Sequence, residues 1–243
     1  MPRVPPHRSA DLPHKGGALE VSSSPLAGEV PEGRRGVYPR VPWRLVWITG
    51  SSTGIGAEIA KQLAEAGTMV ATSARKADVL AANAKRTPNL KPYPLDVTNP
   101  EAVAATFVQI ERDLGPIDLV IAAAGTYAPL NLDDFNAKAF QDTYHVNYLG
   151  VVNVLAAILP AFRARKAGHI SWVASVAGYI GLPKAASYGP TKAALINLAE
   201  CLAPELAVDG ITTSIINPGF VKTPLTVQND FDMPFLMEVD EAA

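Results

Sequence analysis

Residues 43–56 read Trp43-Arg-Leu-Val-Trp-Ile-Thr-Gly50-Ser-Ser-Thr-Gly54-Ile-Gly56, and the helix-forming stretch Ala57–Ala66 follows before Gly67. The opening residues are apolar and β-favouring, which predicts a strand. Ile59, Leu63 and Ala66 then recur at helical spacing. The expected order is strand, glycine turn, helix. Gly50, Gly54 and Gly56 permit a tight turn and a close approach of phosphate to the helix N-terminus, where unpaired N–H groups and the dipole favour an anion. Ser52, Thr53 and Ile55 complete that turn and become candidate phosphate contacts. The spacing Gly-x-x-x-Gly-x-Gly differs from the commonest dinucleotide fingerprint, so the mechanism and not the pattern carries this reading. Three glycines alone do not exclude a purely structural turn.

Further along, strand-like apolar stretches fall near 68–73, 90–95, 117–122, 169–174 and 211–217. Helical patterns fill 99–114, 133–162 and 188–207, with a weaker one near 77–86. Strands alternating with helices imply βαβ crossovers, hence an α/β, doubly wound parallel sheet with helices on both faces. Ligands bind such sheets beyond the carboxyl ends of the strands. Gly50, Asp96, Gly125, Ser175 and Asn217 all fall at those ends, which predicts one composite site.

Tyr188 and Lys192 lie four apart in Tyr-Gly-Pro-Thr-Lys, with Ser175 thirteen residues upstream. At that spacing a tyrosine and a lysine share one helix face. A free phenol has a pKa of about 10. A neighbouring ammonium group is expected to lower it and make the phenol a usable general acid/base. Ser175 could hydrogen-bond the oxygen of a carbonyl or alcohol. Taken alone, such a pair is more often a half-buried aromatic covered by a lysine stem.

Thr49-Gly50-Ser51-Ser52-Thr53-Gly54-Ile55-Gly56, Ser175, Tyr188-x-x-x-Lys192 and Asn217-Pro218-Gly219, in this order, resemble the short-chain dehydrogenase/reductase family. The resemblance runs from about Trp43 to Thr223 and implies a nicotinamide-dependent oxidoreductase on one Rossmann-type domain. It implies Tyr188 as catalytic acid/base, Lys192 on the nicotinamide ribose, Ser175 on the substrate oxygen, and Asn147 holding a proton-relay water beside the lysine. It also implies cofactor contacts from Asp96, Val97, Ala124, Gly125, Pro218, Gly219, Val221 and Thr223, with Asp96 on the adenine and Thr223 on the carboxamide. As a cap of the next helix, Asp96 competes with Thr98 and Asn99. The implied partner is a small carbonyl or alcohol, and the implied assembly a homo-oligomer.

The second strand, Thr68–Ala74, is followed by Arg75-Lys76 and carries no carboxylate at its tip. An acid there would bond the ribose 2′-hydroxyl of NAD, whereas arginine suits the 2′-phosphate of NADP. NADP is therefore expected over NAD, although Arg-Lys also fits a solvated loop. Two departures from the family pattern stand out. Ala122-Ala123-Ala124-Gly125 replaces Asn-Asn-Ala-Gly, and only twenty residues follow Thr223. A chain lacking the last C-terminal strand is expected, with Asp240–Ala243 beginning a helix. A non-catalytic dinucleotide-binding regulator and an inactive fragment are the competing readings.

Residues 1–42 hold 8 of the 21 prolines, five glycines and four serines, without apolar periodicity, and are expected to be a disordered extension ahead of a 43–243 domain, or sequence read from a start site placed too far upstream;. No apolar signal-peptide core is present there. The charge of −2, from 21 basic and 23 acidic groups, gives no basis for nucleic-acid or membrane-surface binding;. Cys201 is the single cysteine, and the four histidines lack ligand spacing, so no metal is assigned;. Val151–Phe162, interrupted by Asn153 and Pro160, reads as too short to span a bilayer;. A cytoplasmic enzyme is the resulting expectation.

Overall fold

The computed structural model describes residues 42–243, so the reading of residues 1–41 as an extension lies outside the described residues. Six strands form one parallel sheet: β1 (Leu45–Thr49), β2 (Met69–Ser73), β3 (Leu90–Pro92), β4 (Leu119–Ala122), β5 (Gly168–Val173) and β6 (Ile211–Ile216). Their spatial order is β3-β2-β1-β4-β5-β6. The strand order reverses between β1 and β4, which opens a crevice at their carboxyl ends. All five residues of β1 are buried, as expected of a central strand covered on both faces;.

One face of the sheet is covered by α3 (Pro100–Leu114), α5 (Gly150–Arg165) and α6 (Gly189–Val208). Val103, Phe107 and Ile110 of α3 meet Val154, Ile158 and Phe162 of α5 over Trp47 and Trp172. Gly168 has to stay small, because a Cβ there would lie 2.2 Å from the Phe162 ring. The opposite face packs α1 (Gly54–Glu65) over β1, β2 and β4 through Ile59, Ala60 and Ala64. α2 (Ala77–Arg86) follows β2 and buries Leu80.

Two features depart from the expected pattern. Thr212 and Ser214 of β6 are exposed on this opposite face, and His169 of β5 hydrogen-bonds Ser214 at 2.8 Å. Over β5 and β6 the second face is thus polar and carries no helix among the described residues. The residues after β6 recross the strand ends. Val221 there forms an isolated parallel bridge with Met237, while Asp240 and Glu241 lie in a turn and not in the expected helix.

The long helical pattern also resolves differently. A 3-10 turn at Leu132–Asp134 precedes one 29-residue helix, Ala137–Arg165, built from α4 (Ala137–Tyr144), a π-helical turn His145–Leu149 and α5. Asn153 and Pro160 do not interrupt it. By length and composition the helix could cross a membrane, but Val151, Val154, Leu155, Ile158 and Phe162 are spent in the core. The π turn shifts the facing of the residues that follow and buries Asn147 completely;.

Candidate active site

The turn after β1 meets the end of β4 backbone to backbone. Gly50 has φ +72°, and a Cβ there would sit 2.6 Å from the Ala123 carbonyl oxygen and from Ala124. A Cβ on Gly56 would lie 2.7 Å from the Gly50 oxygen. These contacts hold the α1 N-terminus against the strand ends. Thr53, which precedes α1, makes no side-chain cap, and no acidic residue lies in the first turn. The first N–H groups of α1 are therefore unspent and suited to an anion.

A cleft of about 570 Å³ opens here. Gly50, Ser52, Thr53, Gly54, Ile55 and Gly56 form its floor. Arg75, Asp96, Val97, Ala124 and Gly125 line it from β2, β3 and β4, and Pro218, Gly219, Val221 and Thr223 from beyond β6. Ser175, Tyr188 and Lys192 share the same wall. Every cofactor contact expected from the sequence thus faces one space. Among the expected site residues, Asn147 and Asn217 do not line it; Asn217 Nδ2 donates instead to the Tyr179 hydroxyl at 3.1 Å. Sequence reasoning passed over Leu225 and Thr226 on the cleft wall, because they follow the last strand without a periodic signal.

The alternatives at Asp96 separate clearly. Asn99 caps α3, accepting from Ala102 N at 2.9 Å. Asp96 Oδ1 accepts from Thr98 N at 3.0 Å and Thr98 Oγ1 at 2.8 Å. The Thr98 backbone N–H, its hydroxyl and the charge of Arg75 hold the Asp96 carboxyl below its ordinary pKa. The tip of β2 itself has no carboxylate: Ser73, Ala74, Arg75 and Lys76 line the cleft there.

Tyr188 immediately precedes α6, and Lys192 lies in its first turn. The expectation that Lys192 lowers the Tyr188 pKa is not met. Burial pushes the phenol up to about 12, Ser175 opposes this by hydrogen bonding, and Tyr127 adds to it. Burial pulls Lys192 down to about 8. Desolvation wins for both because each neutral form is the cheaper one away from water. The Lys192 ammonium lies 5.5 Å from the Tyr188 ring centre and donates to the Val173 carbonyl at 2.8 Å. The Ser175 hydroxyl accepts from Ala177 N at 3.1 Å, which fixes it at the head of the turn Val176–Gly178.

Asn147 is committed to the protein. Its Oδ1 accepts from Thr126 N at 2.7 Å, and its Nδ2 donates to Thr126 O at 3.0 Å and Thr191 Oγ1 at 3.2 Å. It ties the end of β4 to the first turn of α6. Both the Asn147 oxygen and the Lys192 nitrogen come within 3.7 Å of the place a Cβ on Gly125 would take. Asn147 is thus close to the lysine, as a clamp on its surroundings.

A parallel sheet in this strand order, with an uncapped glycine-rich helix start over a long cleft, defines a Rossmann-type nucleotide-binding protein. The short chain dehydrogenase family profile matches residues 44–233, and the chain belongs to that family. An uncharacterized oxidoreductase of Myxococcus xanthus is 34% identical over 204 residues, covering 82% of this chain and 81% of that protein. A short-chain type dehydrogenase/reductase from Mycobacterium marinum superposes with a TM-score of 0.76 at 30% identity, over 82% of this chain and 84% of the other. An alcohol dehydrogenase from Thermococcus sibiricus, complexed with 5-hydroxy-NADP, superposes with a TM-score of 0.74 at 26% identity, covering 82% and 86%.

Proposed function

We propose that this oxidoreductase interconverts a small carbonyl compound and its alcohol using NADP(H), with Tyr188 as the acid/base. The observation that carries the reading is the set of buried Ser175, half-buried Tyr188 and buried Lys192 on the wall of the cleft that the uncapped α1 N-terminus opens into. The cleft residues fit a dinucleotide: glycines where a Cβ would collide, free N–H groups for the phosphates, and Arg75 with Lys76 where a 2′-phosphate would lie. When bound, the nicotinamide supplies or accepts the hydride.

The chain's own groups handle the proton. With a pKa pushed up to about 12, Tyr188 is protonated at neutral pH and is ready to donate to an oxygen gaining negative charge;. Ser175 offers a second hydrogen bond to the same oxygen, stabilising charge as it develops. Lys192, still mostly charged below about pH 8, places a positive field beside the phenol and favours its anion once the proton has left;. Asn147 holds the end of β4 and the first turn of α6 at fixed separation, so that this set does not drift.

The test is titration of the purified protein with NADPH and NADH, followed by assay of a carbonyl panel with Tyr188→Phe alongside. Tight NADPH binding with a loss of turnover of about 10²–10⁴-fold in the variant is expected. NADPH binding without any Tyr188-dependent turnover would indicate a nucleotide-binding regulator instead.

A further inference from the structure

A second, smaller cavity of about 80 Å³ adjoins the cleft and shares Ser175 and Tyr188 with it. On this measure a water needs about 10–15 Å³, so the space takes a ligand portion of roughly six non-hydrogen atoms. Val176, Leu182, Pro183, Phe220, Leu225 and Phe231 make its walls apolar. Among the described residues, no charged side chain lines it. The nearby Lys184 and Asp230 are paired with each other at 2.5 Å. An ionised ligand would lose its hydration here without gaining a counter-charge.

Its polar points are few, and most are already used. Thr226 Oγ1 donates toward Val221 O at 2.6 Å and Thr223 O at 3.0 Å, and accepts from Thr223 N at 2.9 Å. Two groups remain. The Tyr127 hydroxyl has no hydrogen bond to another described residue, and the Tyr127 ring stands edge-on to Tyr188 with centres 5.2 Å apart. Burial, with the charge of Asp230, raises the Tyr127 pKa, so the hydroxyl keeps its proton and can donate or accept;. Asn229 Oδ1 is shielded from water and has no partner, while its Nδ2 faces only the Met233 sulfur at 3.2 Å. A buried acceptor without a partner is costly, and a donor brought by a ligand recovers that cost once the amide turns to meet it.

The wall is held in place before any ligand arrives. Gln228 Nε2 donates to Tyr127 O at 3.2 Å, Leu130 N to Lys184 O at 2.9 Å, and the Lys184–Asp230 pair ties the 228–231 segment to the loop before α6.

We propose that the substrate is a compact, uncharged, mostly apolar ketone or alcohol bearing a second hydrogen-bonding group such as a hydroxyl, and that Tyr127 and Asn229 select for that group. The inference rests on the proposed reaction at Ser175 and Tyr188. It is tested with cyclohexanone, 4-hydroxycyclohexanone and 4-oxocyclohexanecarboxylate at saturating NADPH, in the wild type, Tyr127→Phe and Asn229→Leu. The wild type should favour the hydroxyketone over the parent by about fivefold in kcat/KM, the worth of one hydrogen bond. Tyr127→Phe, which keeps the ring, should bring that ratio toward unity, and the carboxylate should be the poorest of the three. An unchanged ratio in both variants, a preference for the parent, or efficient turnover of the carboxylate overturns the proposal. Calorimetric binding of cyclohexanol and cyclohexane-1,4-diol to the NADPH-loaded protein, where cofactor and ligand are both reduced and cannot react, separates it from the reaction itself. A Tyr127-dependent preference for the diol without turnover refutes the reaction and supports the pocket's selectivity; equal binding of both alcohols refutes the selectivity whether or not turnover occurs.

Discussion

Replacing Lys192 by methionine should make the protein less active and, near neutral pH, no less stable. Lys192 is 4% exposed, and burial alone depresses its pKa from 10.5 to about 8. The gap between these values corresponds to about 3 kcal/mol. Below about pH 8 both folded and unfolded chains carry the proton, and the folded state bears the full cost of a desolvated charge. Between about 8 and 10.5 the folded lysine is neutral while the unfolded one is still protonated, so raising the pH removes the cost and stabilises the wild type. Lys192→Met has no such dependence, and methionine matches the stem in length. It does leave the Val173 carbonyl without its donor, a pH-independent loss of about 1–3 kcal/mol;. At pH 7 the variant should therefore lie between equal stability and about 2 kcal/mol more stable. Its standing relative to wild type should then fall by about 2–3 kcal/mol by pH 10. Urea unfolding of both proteins at pH 7, 8.5 and 10 measures this. A difference that stays constant across the range would refute the desolvation argument.

Three further outcomes are expected. Asn147→Ala strips three hydrogen bonds from a fully buried site and leaves Thr126 N–H and C=O unpaired, which should cost about 2–4 kcal/mol in urea unfolding;. Gly56→Ala forces a Cβ to within 2.7 Å of the Gly50 oxygen, and a loss of about 1–3 kcal/mol with an unchanged denaturant slope should follow;. Arg75→Asp should raise the Kd for NADPH about tenfold or more and leave that for NADH much closer to wild type, by fluorescence titration;.

The glycines of the first turn and the alternation of strands with helices were legible because both are local. A tight turn needs glycine wherever it occurs, and a helical or extended repeat shows in its own residues. The same holds for the order of Ser175, Tyr188 and Lys192, whose spacing brought them to one wall as expected. Legibility ended where distant segments had to meet. The direction of the Tyr188 pKa depends on how much water the folded chain removes, and the i, i+4 spacing says nothing of that. Asn147 was expected near the lysine, but its bonds to Thr126 and Thr191 arise from a π turn that no periodic pattern announces. Tyr127 and Asn229 were not singled out at all, since neither belongs to a motif and they are about a hundred residues apart.

By itself, the sequence determined the α/β class, the phosphate-suited turn and the identity of the Ser175, Tyr188 and Lys192 set, because these follow from local backbone preference and side-chain chemistry. Only the tertiary structure decided which groups lost their water, that the opposite face over β5 and β6 stays polar, and that an uncharged, aromatic-walled chamber lies beside Tyr188. Burial is a property of contacts between segments far apart in the chain, and desolvation follows burial.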